Sequence, residues 1–100
     1  MYAYRQNVPI DRAMYEKIAT RMGTHPMGGL IVHLVIERPE GGLQYVDVWE
    51  SEEACARAFE EVIHPAVYET FKETGFRPEG EPEKENIDVI EVRMLERLLT

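Results

Sequence analysis

The chain has 100 residues and a mass of 11.6 kDa, the size of one domain with one thin core, and 44% hydrophobic with 30% charged residues describes a globular chain. Eleven Lys and Arg against nineteen Asp and Glu leave a net charge of −8, a field that repels nucleic-acid backbones and anionic membranes, so neither is an expected partner. The lone cysteine, Cys55, excludes an internal disulfide and a multi-cysteine zinc site. No apolar run reaches the ~18 residues of a membrane span, and the opening residues lack a basic head followed by an apolar stretch. The expectation is a single cytoplasmic domain over residues 1–100.

Residues 2–7 read as a short strand, with Tyr2 and Tyr4 on one face, ended by Pro9. Asp11 is placed to cap a helix, and Ile10 to pack on Tyr15 across its first turn. Met14, Tyr15, Ile18, Ala19 and Met22 form one helical stripe, and Gly23 is the natural stop. After the loop of residues 24–29, Leu30 to Ile36 is short, apolar and rich in β-branched residues, and reads as a strand buried on both faces. Pro39 to Gly42 turns the chain into a second strand, Gln44 to Trp49, giving a hairpin.

Ser51 caps the second helix, with Glu52 and Glu53 at the positive end of its dipole and Ala54, Cys55, Ala58, Phe59 and Val62 on its buried stripe. The residue before a proline disfavours helical angles, so His64-Pro65 predicts a kink or break, with helix resuming to Gly75. Residues 78–86 read as a charged loop, and 79–86 as the most mobile internal segment, since every residue there is non-hydrophobic. Ile87 to Leu95 reads as the last strand, and Glu96 to Thr100 as a tail or final helical turn.

The order β-α-β-β-α-β is the ferredoxin-like plan, an α+β fold with both helices on one face of an antiparallel sheet. The strand at residues 30–36 is apolar on both sides: Leu30, Val32, Leu34 and Ile36 on one, Ile31 and Val35 with His33 on the other. An open sheet face carrying these groups predicts a partner. A second copy of the chain, packed sheet to sheet, is the expected one.

Tyr45, Asp47 and Trp49 share one face by strand parity. Val46 and Val48 are the small residues expected under the helices, so the polar-aromatic set should face the space between sheets. A buried acid needs a partner, and His33 on the neighbouring strand is the candidate. A two- or four-residue hairpin loop opposes His33 to Val48; a three- or five-residue loop, or a bulge at Gly41-Gly42, opposes it to Asp47 or Trp49, and the glycine pair favours the bulge. His33 and Asp47 are then candidate catalytic residues, a histidine oriented by a carboxylate as general base. Tyr45 and Trp49 would stack on an aromatic ligand, and Tyr4 could close the pocket mouth with its hydroxyl.

The run Val46-Asp47-Val48-Trp49-Glu50-Ser51-Glu52-Glu53-Ala54, with Phe59 beyond it, and the segment Pro26-Met27-Gly28-Gly29-Leu30-Ile31-Val32-His33 resemble the dimeric α/β-barrel superfamily. They are most similar to antibiotic-biosynthesis-monooxygenase-type domains of small actinobacterial proteins, over about residues 1–78. The resemblance implies a dimeric α/β barrel. It also implies activities that include cofactor-independent oxygenation of aromatic polyketides and haem degradation. The haem-degrading branch would use a first-strand Asn, a Trp ending the third strand and a helical His, and Asn7, Trp49 and His64 sit in comparable elements. His64 lies further beyond the Trp than that branch places it, and Pro65 follows it. Histidines at 25, 33 and 64 have no metal-ligand spacing. No resident metal or cofactor is therefore expected. Two functions remain: a cofactor-independent monooxygenase acting on a small aromatic or polyketide-like substrate, or a non-catalytic module that binds or merely assembles.

Overall fold

The computed structural model describes residues 1–94. Four strands, β1 (Tyr2–Val8), β2 (Leu30–Glu37), β3 (Leu43–Trp49) and β4 (Lys84–Asn86), form one antiparallel sheet in the order β2-β3-β1-β4. Helix α1 (Arg12–Met22) follows β1. A longer helical stretch follows β3: α2 (Glu52–Ala58), a π-helical turn (Phe59–Ile63) and α3 (His64–Thr74). The α+β class and an order compatible with a ferredoxin-like fold follow from the alternation of periods read along the chain.

The caps form as their side chains dictate. Asp11 accepts a hydrogen bond from the Met14 amide at 2.8 Å, and Ser51 accepts from the Ala54 amide at 3.1 Å. Gly75 ends α3 in the left-handed conformation, φ 77°. Gly29 sits at φ +90°, and a Cβ there would lie 2.5 Å from the Ala54 Cβ. Only glycine lets the chain enter β2 so close to α2.

Three expectations are corrected. His64 keeps helical angles, φ −58° and ψ −45°, despite Pro65, so the chain stays helical there, and the irregularity expected at this point is a π-helical turn over Phe59–Ile63 instead of a break. In that turn the His64 amide donates to the Phe59 carbonyl, five residues back. The last strand among the described residues is Lys84–Asn86, and residues 87–94, expected to form it, form none. Within the segment read as mobile, residues 84–86 pair with β1, and the Arg5 guanidinium grips both Glu85 oxygens at 2.8 and 2.7 Å. The charges that argued for a solvated loop hold an edge strand instead. Leu95 and the tail from Glu96 to Thr100 lie outside the described residues.

The third correction concerns β2. It is an edge strand, and Leu34 and Ile36 are 50% and 44% exposed. The bulge lies at its start, between Leu30 and Val32, and not at Gly41-Gly42. Ile31 is the extra residue, so Leu30 turns to the helix side with Trp49 while Val32, Leu34 and Ile36 stay on the open face. Two buried clusters then fill the helix side. One gathers Val8, Ile10, Ile18, Leu43 and Ala66, and the other Tyr4, Trp49, Cys55 and Ala58.

Candidate functional site

A cavity of about 340 Å³ lies between the sheet and the chain's own helices. That volume is within the range of small-molecule sites. Its walls are mainly apolar: Ile18 and Met22 from α1, Val67 and Phe71 from α3, and Phe76 beyond it. The polar groups come from the sheet floor. His33, Tyr45, Asp47 and Trp49 all line it, as strand parity and the hairpin register require.

They do so on the face opposite to the one expected. Tyr45, Asp47 and Trp49 lie under the helices, and Val46 and Val48 point to the opposite face of the sheet, where Val48 is buried beside Ala3. Parity fixes which residues share a face but not which layer covers it. The larger aromatic set faces the helices because α1 and α3 leave a gap that small valines would not fill.

His33 pairs with Asp47 across the hairpin through the five-residue loop of residues 38–42, one of the loop lengths that oppose these two groups. The Nδ1 of His33 is hydrogen-bonded to Asp47 Oδ1. A carboxylate can only accept, so Nδ1 carries the proton and Nε2 is the acceptor. Nε2 takes a 2.9 Å hydrogen bond from the Tyr15 hydroxyl. The three side chains form one chain, Tyr15 to His33 to Asp47. Asp47 is buried at 4% exposure, while the His33 side chain keeps 29%, because it stands on the edge strand.

Aromatic rings pack around this chain. Tyr45 meets the His33 ring edge-on at 5.4 Å and the Tyr15 ring at 5.8 Å. Burial is the main cause that pushes the Tyr15, Tyr45 and Tyr4 hydroxyls above their ordinary pKa, and the Asp47 carboxylate adds to it in each case. All three therefore stand as neutral phenols beside a carboxylate.

The other expected site residues are spread more widely. His64 lines the cavity, with Nε2 bonded to Glu81 Oε1 at 2.8 Å and its ring stacked on Tyr68 at 5.4 Å. Tyr4 is fully buried in the Trp49 cluster and is not part of the cavity wall, so it closes no mouth. Asn7 faces the other way: it pairs with Gln44 in the sheet and accepts from that side chain at 3.2 Å. The three positions suggested by the haem-degrading branch thus do not converge, since Trp49 and His64 share the cavity and Asn7 does not. Among the described residues, no group of three or more His, Cys, Asp or Glu could hold a metal ion.

No protein-family model matches the chain, and no curated protein matches its sequence. The site therefore has to be read from its own chemistry. Tyr15 and Gln6 are the residues that sequence reasoning missed. Tyr15 looked like one more member of an apolar helical stripe, yet a tyrosine on a buried stripe needs a partner for its hydroxyl, and His33 was the unpaired acceptor. Gln6 alternates inward with Tyr4 and Val8 on β1, and its amide donates to the Pro82 carbonyl at 2.9 Å, tying the segment before β4 to the cavity floor. No described helix is long and apolar enough to cross a membrane.

Proposed function

We propose that the cavity binds a small, flat aromatic substrate and that the His33–Asp47 pair removes a proton from it, as in a cofactor-independent monooxygenase. The observation that carries this reading is a histidine held by a buried carboxylate at the floor of an apolar cavity. An apolar wall excludes water and favours a ring, and a base there can ionise a phenol or an activated methylene. The carbanion so formed needs no metal to react with dioxygen. One oxygen stays as a carbonyl, and the other leaves as water with the two hydrogens of the methylene, so dioxygen is the only oxidant. The similarity of residues 26–33 and 46–54 to antibiotic-biosynthesis-monooxygenase-type domains supports the same class. A cytoplasmic location belongs to the same proposal.

Oxygen uptake measured against a panel of polyphenols and anthrone-like compounds tests the activity. A compound consumed by the wild type should be spared by His33→Ala, with a loss of roughly 10²–10⁴-fold. Uptake unchanged by that substitution would remove His33 from the mechanism and leave a binding module as the better reading.

Dimerisation is proposed on separate grounds. Leu34 and Ile36 stay exposed on the face of the sheet that the helices leave open. A second copy offers the same apolar strip, and covering it contributes about 25 cal/mol per Å² of apolar surface removed from water. Sedimentation at micromolar concentration should give twice the mass of 11.6 kDa, whereas a mass equal to one chain would contradict the proposal.

A further inference from the structure

We infer that Tyr15 is the group through which a ligand's acidic hydrogen reaches His33, so that a phenol or enol in the cavity meets the Tyr15 oxygen first. The inference rests on the proton-transfer reading above and names the residue that makes contact.

Both nitrogens of His33 are already engaged. Nδ1 donates to Asp47, which leaves only Nε2 to act as a base, and Nε2 is filled by the Tyr15 hydroxyl at 2.9 Å. Within this chain of three groups, acceptor capacity remains on the second Asp47 oxygen and on the Tyr15 oxygen, and of the two only the Tyr15 oxygen can pass its own proton to His33 Nε2 as it takes up the ligand's. Tyr15 also lines the cavity from α1, and edge contact with the Tyr45 ring holds its own ring in place. Burial keeps its hydroxyl neutral, so Tyr15 accepts a proton only as it passes its own on.

The step balances. The ligand O–H or C–H bond breaks and its hydrogen bonds to the Tyr15 oxygen. The Tyr15 proton moves to His33 Nε2. The positive charge on the imidazolium is held by the Asp47 carboxylate, and the negative charge stays on the ligand. The other ionisable groups lining the cavity are Tyr45, His64, Tyr68 and Glu81, and His64 and Glu81 are bonded to each other rather than to this chain. This relay favours ligands with an acidic O–H or an activated C–H over neutral ethers or hydrocarbons of the same shape.

The test uses the full-length protein with para-nitrophenol, whose phenolate is coloured, followed by absorbance across pH. Wild type should bind the probe and lower its apparent pKa by roughly one unit or more. Tyr15→Phe removes one oxygen, should melt within a few degrees of wild type, and should bind the probe while leaving its pKa at or above the free value, since burial beside the Asp47 carboxylate disfavours a phenolate. His33→Gln should do the same. If Tyr15→Phe still ionises the probe as wild type does, the ligand meets His33 directly and the relay is wrong, though the base survives. If wild type itself fails to bind or ionise the probe, the proton-transfer reading falls and the relay with it.

Discussion

Replacing Trp49 by alanine should cost about 3–5 kcal/mol of folding stability, a large part of the ~5–15 kcal/mol available to a domain of this size. Trp49 is only 1% exposed, packs against Phe59 at 6.5 Å between ring centres, and stands in the cluster of Tyr4, Cys55 and Ala58. At roughly 4–8 °C per kcal/mol for a chain of about this length, the melting temperature should fall by more than ~10 °C. Its indole Nε1 is buried without a hydrogen-bond partner. Trp49→Phe should therefore be far milder, because it removes an unsatisfied donor along with part of the ring. Thermal unfolding of the two variants side by side checks this. An alanine variant that melts within a few degrees of wild type would show that Trp49 acts as cavity wall and not as core. The expectation that Trp49 serves chiefly as a stacking surface is thus too narrow: the same ring lines the cavity and anchors the core beneath it.

Much of the fold was legible because its signals are local. Asp11 and Ser51 announce their helices through capping chemistry, and Gly75 ends the second helical stretch where only a left-handed residue fits. The hairpin and the shared face of Tyr45, Asp47 and Trp49 follow from period-two alternation. What escaped depends on contacts between distant parts of the chain. Lys84–Asn86 carries no strand pattern; it is a strand because Arg5 and the edge of β1 receive it. The continuation of helix through His64-Pro65 comes with a π-helical turn that no residue preference announces. The displaced bulge matters most. Placed at Ile31 instead of Gly41-Gly42, it sends Leu30 into the core and leaves the His33–Asp47 pairing to the loop length alone. The pairing at the site was therefore readable from two polar groups in need of each other, while the layer above them was not. Tyr15 completes the chain from α1, an element that sequence spacing cannot align with a strand eighteen residues on.

Asp47→Asn isolates the carboxylate's contribution. The amide keeps the shape of the side chain, so the cavity and the packing of Tyr4 and Tyr45 around it should persist. What goes is the negative charge that fixes the His33 tautomer and stabilises the imidazolium once it forms. An effect confined to the charged state belongs to the transition state more than to the bound ground state.

Steady-state kinetics of Asp47→Asn across pH tests whether Asp47 and His33 act together as a proton acceptor at the cavity floor. The assay uses a compound identified by oxygen uptake. Their joint action requires kcat reduced by roughly 10²–10⁴-fold with KM close to the wild-type value and a changed pH profile. A kcat retained at the wild-type level with the same pH profile, or a loss seen in KM alone, would contradict it.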